Sequence, residues 1–186
     1  MSFLVTASTK EILLDTLPAV KITHYNGVLR RDNVYAYAKL YVLNGGVQIS
    51  FTVFDENPPQ TQRMAAAFNF AMDKCDDFLF CSSDCKGEVA FTLYRKNGDS
   101  TPLMTTKAQV NGGEDEQGFY WNVEFNISKK LIVDNFGNTP FKNNLFCGNI
   151  YLYDTQETAF GSAFKVSLAD KLPFQANCGQ FVCVPY

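Results

Sequence analysis

The chain has 186 residues, 46% hydrophobic and 15% aromatic, with a formal net charge of -3 at pH 7. That length suffices for one domain with a sizeable core. No basic cluster is longer than Arg30-Arg31 or Lys129-Lys130, too little for a nucleic-acid partner. No stretch approaches the roughly 20 apolar residues of a membrane span, so no membrane partner is expected. Residues 1–10 lack the basic start and apolar run of a signal peptide, and a cytoplasmic location is expected. With 17 Phe and 9 Tyr against one Trp, the aromatic content favours pleated, half-buried surfaces.

In chain order, residues 9–14 predict a short helix. Val34, Ala36, Ala38, Leu40 and Val42 then alternate with Tyr35, Tyr37, Lys39 and Tyr41, a strand with one buried face. Tyr35, Tyr37 and Tyr41 form a stripe on the other face, read as an outer surface, a sugar platform or a subunit contact. Leu43-Asn44-Gly45-Gly46 turns the chain into a second strand, in which Val47, Ile49, Phe51 and Val53 point inward. After the Asn57-Pro58-Pro59 turn, residues 60–70 predict a second helix, because Met64-Ala65-Ala66-Ala67 has high helix propensity.

A strand follows in Asp73-Lys74-Cys75-Asp76-Asp77-Phe78-Leu79-Phe80, and another where Val89, Phe91 and Leu93 alternate with Glu88 and Thr92. Lys86-Gly87, Asn97-Gly98-Asp99, Asn111-Gly112-Gly113 and Phe136-Gly137-Asn138 read as turns. Phe119, Trp121, Val123, Phe125 and Ile127 share one face of a long strand, which places Trp121 in the core. Many short strands punctuated this way predict a single-domain, all-β antiparallel sandwich over residues 1–186. It is immunoglobulin-like or jelly-roll-like, with one or two short helices.

No catalytic constellation emerges, and the chain is not expected to be an enzyme. His24 is the only histidine and sits in a strand-like run, without a Gly-x-Ser-x-Gly elbow anywhere. Asp76 and Asp77 are strand neighbours, so their side chains point to opposite faces. They do not form the pair roughly 5 to 9.5 Å apart that glycoside hydrolysis uses. Gly45-Gly46 and Gly112-Gly113 read as hairpin turns, not phosphate loops. Cys75, Cys81, Cys85, Cys147, Cys178 and Cys183 read as reduced, buried thiols. Cys75, Cys81 and Cys85 lack the spacing and the nearby histidine of a zinc knuckle. No cofactor is expected, although the acidic turn Glu114-Asp115-Glu116 has the oxygen ligands that calcium prefers, without EF-hand spacing.

Several strings, taken in order, resemble the family 9 carbohydrate-binding modules, and a family 9-like group found in gut bacteria in particular. They are Leu17-Pro18 running to His24-Tyr25, Glu56-Asn57-Pro58, the strand ending in Phe78-Leu79-Phe80, Trp121 to Ile127, Phe146 to Tyr151, and Cys178-Gly179-Gln180-Phe181-Val182. In that family two aromatic rings sandwich a terminal sugar while polar side chains fix its hydroxyls. The resemblance implies Phe70 and Phe174 as the stacking rings and Asp77, Asn149 and Tyr151 as hydrogen-bonding residues. Arg95 and Lys96 are the nearby basic groups.

Both clamp positions carry Phe where the family usually has Trp. Leu152 and Ala159 stand where a Lys and a His are common. The implied function is non-catalytic binding of a mono- or disaccharide end with weak affinity. The alternative is a structural or protein-interaction sandwich that has lost the sugar site, with the tyrosine stripe as a homodimer or partner surface.

Overall fold

Alternating apolar residues joined by tight turns pair into strands, and the pairing builds a sandwich. The computed structural model describes residues 2–26, 34–71, 77–116, 118–137, 141, 144–156, 158–166 and 179–186. Its strands are β1 (Ser2–Ser8), β2 (Val20–Lys21), β3 (His24–Asn26), β4 (Tyr35–Leu43), β5 (Gly46–Phe54), β6 (Gln62–Asn69), β7 (Phe78–Ser83) and β8 (Glu88–Tyr94). They continue as β9 (Ser100–Lys107), β10 (Gln109–Asp115), β11 (Gly118–Ile127), β12 (Leu145–Asp154), β13 (Phe160–Ser162) and β14 (Gly179–Pro185), with helix α1 (Lys129–Phe136) after β11.

The hydrogen-bonded path runs β10-β11-β5-β4-β1-β14-β12-β6-β7-β8-β9. Its two ends, β9 and β10, are separated in sequence only by Ala108, so the path folds back on itself. We call β10, β11, β5 and β4 the front sheet, and β14, β12, β6, β7, β8 and β9 the back sheet. Strand β1 bridges them, parallel to both β14 and β4, and is the exception to the expected antiparallel pairing. Phe91 of the back sheet meets Phe125 of the front edge-on, centroids 6.0 Å apart. One core cluster takes residues from both sheets, Phe51, Val53, Trp121 and Val123 with Met64, Phe68, Leu79 and Phe181.

The expected β4–β5 hairpin is present. Asn44 and Gly45 take φ of 51° and 85°, the two positive values that a type I′ turn demands, and Leu43 pairs with Gly46. Trp121 is buried, its Nε1–H donating to Gln62 Oε1 at 3.3 Å.

Several expectations are corrected. Residues 60–70 hold strand β6, not a helix. The run Met64-Ala65-Ala66-Ala67 lies between β12 and β7 and is buried on both faces, so packing overrides propensity. The helical turn expected at residues 9–14 is a 3-10 turn at Leu14–Thr16. The helix that does form, α1, starts where the Ser128 hydroxyl accepts from Leu131 N at 3.1 Å and ends at Gly137, φ 101°. Asn111, Gly112 and Gly113 lie inside β10 rather than in a turn, and Phe119 is 47% exposed. Glu114 and Asp115 end β10, and among the described residues no group of acidic, His or Cys side chains is gathered to hold a metal. Among them, too, no helix is long and apolar enough to cross a membrane.

Two predictions follow from the packing. A Cβ on Gly148 would overlap Ala67 O and the Phe68 ring. Gly148→Ala should therefore cost about 2–4 kcal/mol, read as a melting temperature lower by about 5–15 °C. Gly98→Ala meets nothing within 4 Å and carries only the strain of φ 90°, so it should cost about 1 kcal/mol.

Burial raises the Cys183 thiol pKa from 9.0 to about 11 and pushes Cys81 well above its ordinary value. At pH 8 only about one Cys183 in a thousand is thiolate. Iodoacetamide followed by peptide mass analysis should leave both residues unmodified in the native protein at that pH. The unfolded chain loses these protons first, so their contribution to stability is intact below pH 9.0 and declines as pH rises towards about 11.

Candidate functional site

The outer face of the back sheet carries the residues that convergent chemistry needs. Strand register sets them in rows. Tyr153 pairs with Arg63, Tyr151 with Ala65 and then Ser82, and Asn149 with Ala67 and then Phe80. Phe78 pairs with Tyr94 one strand further. Ala65 and Ala67 are short, so the sheet is low between the rings of β12 and those of β7. A second apolar cluster fills this face, built from Ala65, Ala67, Phe78, Phe80, Tyr151, Phe160 and Val166 with Tyr94 and Tyr153 packed on it. Phe80 meets Tyr94 edge-on at 5.9 Å and Tyr153 at 6.2 Å.

Charged pairs bracket the rings. At one end Asp77 Oδ2 accepts from Arg95 Nη1 at 2.7 Å and Oδ1 from Lys96 N at 3.0 Å. At the other, Arg63 Nη2 lies 3.7 Å from Asp84 Oδ2, while Asp84 Oδ1 accepts from Lys86 N and Glu88 N at 3.0 and 2.9 Å. Arg63 Nη1 donates to Gln60 O and Gln62 O at 2.6 and 3.0 Å. Burial raises the Tyr153 phenol pKa, with the Ser82 hydroxyl and the Arg63 charge pulling it back. The phenol therefore stays neutral at ordinary pH, able to donate as well as accept.

The residues implied by the resemblance divide. Asp77 stands just before β7 at the end of the sheet, its carboxylate held by Arg95 and Lys96 N. Asn149 is fully buried. Its Nδ2 donates to Phe164 O at 2.8 Å and its Oδ1 accepts from Phe164 N and Ile150 N, both at 2.9 Å. The side chain thus fastens residues 160–166 onto the sheet and is closed to solvent. Tyr151 is 1% exposed, its ring against Phe160 at 6.3 Å. Phe70 is corrected to a core ring. It is 0% exposed and sits among Phe68, Phe136, Phe141 and Phe146 at centroid distances of 5.8, 5.6, 5.6 and 5.2 Å, with no face open to a solute. Phe174 and Asp76 lie outside the described residues.

Arg63, Phe80, Ser82, Asp84, Tyr94 and Tyr153 line this candidate face, and sequence reasoning did not single them out. Their signal was phase: Phe80 and Ser82 alternate with the core residues Leu79 and Cys81, and Tyr94 follows core Leu93.

No family profile matches the sequence, and no curated protein does. Solved structures do match in fold. A proposed carbohydrate-binding protein from Bacteroides uniformis ATCC 8492 superposes with a TM-score of 0.71 at 11% identity, covering 98% of this chain and 99% of that one. A carbohydrate-binding module of family 9 from Caldicellulosiruptor kristjanssonii, in complex with glucose, gives 0.54 at 10% identity over 100% and 97% of the two chains. The complex with cellotriose gives 0.53 at 9% identity over 99% and 95%. At such identities the likeness is one of architecture, and the chain has the β-sandwich fold that these carbohydrate-binding proteins share.

Proposed function

We propose that this chain is a non-catalytic carbohydrate-binding module and that the outer face of the back sheet holds the end of a mono- or disaccharide. The observation that carries the reading is the partly exposed pair Tyr94 and Tyr153, packed on the buried Phe80 ring, with the Arg63–Asp84 pair beside them and Asp77–Arg95 at the sheet end. Ring faces suit the apolar C–H face of a pyranose, while guanidinium, carboxylate and hydroxyl groups suit its hydroxyls. Glucose and cellotriose, bound by the structurally similar modules, make the first probes. Asp77 and Arg95 serve as hydrogen-bonding groups at one end, and Arg63 and Ser82 at the other. Phe174 is the proposed ring contributed from outside the described residues. A weak site is expected, because phenylalanine and tyrosine offer less stacking surface than tryptophan.

A second reading has its own support. Phe70, Asn149 and Tyr151 are wholly engaged in packing, as in a sandwich that keeps the fold for a structural or protein-interaction role.

A thermal-shift titration separates the two. Sugar at about 100 times its dissociation constant stabilises the native state by about 2.7 kcal/mol, a rise of about 5–10 °C for a chain of this size. Glucose or cellotriose should raise the melting temperature in this way, and Tyr153→Ala should lose most of that rise relative to its own sugar-free baseline. A flat response to both sugars at high millimolar concentration would sink the binding reading and leave the interaction sandwich.

A further inference from the structure

The front sheet has an outer face too, and its composition is not that of a surface shaped only by water. Tyr35 on β4, Phe54 on β5 and Tyr120 on β11 pair across three neighbouring strands. Their rings touch in sequence, with centroids 5.8 Å apart for Tyr35 and Phe54 and 5.6 Å for Phe54 and Tyr120. Tyr37, one row along, joins them at 5.8 Å from Tyr35 and 6.3 Å from Phe54. We infer that this strip is a second carbohydrate-binding surface, one that takes the apolar face of a neutral oligosaccharide laid across the strands. It takes its ligand class from the reading proposed for the back sheet, but shares no residue with that site.

Geometry supports a narrow, extended ligand. Neighbouring strands are about 4.8 Å apart, so a row across three of them is about 10 Å long, a span that suits a short run of sugar rings. At the Tyr120 end, β10 contributes Gly113, where a Cβ would lie 3.2 Å from the Tyr120 hydroxyl. The Tyr120 ring lies over that glycine, which extends the row towards the sheet edge.

The next row is polar and already ordered. Tyr37 pairs with Thr52 and Thr52 with Asn122, and Asn122 Nδ2 donates to Thr52 Oγ1 at 2.9 Å and to Phe51 O at 3.2 Å. Aromatic faces beside fixed amide and hydroxyl groups are the combination that polyhydroxylated rings require.

Area and charge select the occupant. Phe54 is 7% exposed and the three tyrosines are half-buried, so the strip offers on the order of 200 Å² of ring to solvent. A stable dimer buries roughly 800 Å² per partner, which makes a second copy of the chain a poor match. Two cations flank the strip among the described residues: Lys21, which pairs with Tyr37 from β2, and Lys39, whose ammonium lies 5.8 Å from the Tyr37 ring centroid and 3.7 Å from the Asp15 carboxylate. The ring row Tyr35-Phe54-Tyr120 and the adjoining row Tyr37-Thr52-Asn122 carry no charged side chain, which suits the body of the strip to an uncharged glycan.

The test is a titration of the whole protein, with its tyrosine rings labelled for NMR, by cellopentaose and then maltopentaose. Tyr35, Tyr37 and Tyr120 signals should move with at least one of the two. Tyr37→Ala should weaken the binding read at Tyr35 and Tyr120 by about tenfold, the loss of one stacked ring, and Tyr37→Phe should preserve it. Tyr153→Ala should leave the strip's response unchanged. If both sugars at tens of millimolar leave the strip's signals still, the inference is overturned. It is also overturned if those signals follow protein concentration without sugar. Movement at Tyr94 and Tyr153 alone would remove the second surface and retain the back-sheet site. Movement at the strip alone would do the reverse.

Discussion

Burial of β6 on both faces is the constraint from which the back sheet follows. Met64, Ala66 and Phe68 point into the main core, and Ala65 and Ala67 point outward into a second apolar cluster. An outer face that is apolar needs a cover, and the cover's own backbone groups need partners. Residues 160–166 contribute to that cover through Phe160 and Val166. Asn149 supplies both kinds of hydrogen bond at Phe164, donor to its carbonyl and acceptor from its N–H. An aspartate at 149 would lose the donor, and a leucine would leave both Phe164 groups buried and unpaired. Phe164 then packs edge-on against Phe181 at 5.6 Å. It occupies the space that a Cβ on Gly179 would fill, so three positions distant in sequence are fixed together.

The two aspartates that flank β7, Asp77 and Asp84, use one device. Each places one carboxylate oxygen on backbone N–H groups and turns the other towards an arginine. Asp84 thereby closes the turn between β7 and β8, and Asp77 ties the start of β7 to the end of β8. The guanidinium of Arg63 is held further by two carbonyls. A polar group held in place before a ligand arrives loses less side-chain entropy on binding. In the proposed sugar site, such preorganisation offsets the modest aromatic area. Such surface ion pairs add little to folding stability on their own, so their value here lies in position.

Much of this was legible in the sequence, and the failures have physical causes. The strands β4, β8 and β11 were readable because one face of each is buried and the other is less so; β5 is buried on both faces, but its outer positions Gln48, Ser50 and Thr52 are polar, so period-two alternation survives. Strand β6 was not readable, since a strand apolar on both sides loses its alternation and an alanine run then reads as helix. Helix α1 was missed because its eight residues bury only Ile132 and Phe136, too short a pattern to stand out. For the site, the family resemblance gave positions along strands but not what lies over them. It implied Asn149 and Tyr151 as hydrogen-bonding residues, and both are buried on β12 beneath the segment that covers the sheet. Tyr94 and Tyr153 were within reach of phase reasoning, since each sits opposite a core-facing neighbour in its strand.

The same phase reasoning applied to the front sheet explains why its outer face needs a role. Successive rows across β4, β5 and β11 read Tyr35-Phe54-Tyr120, then Tyr37-Thr52-Asn122, then Lys39-Ser50-Glu124. The third row, with a charge at each end, is what solvent alone would favour on the open side of a sheet. The first row departs from it at all three positions. Further along β4, Tyr41 is 3% exposed and its hydroxyl accepts from Ile12 N at 3.3 Å, so a tyrosine on this face can be accounted for by a covering segment. For Tyr35 and Tyr37 no such bond runs to residues 11–17. Their rings instead pack on one another and on Phe54. Tyrosine rather than phenylalanine at the exposed positions keeps a hydroxyl at the water boundary while leaving the ring face available. A surface built this way tolerates water and still gains from a ligand with one apolar face and many hydroxyls.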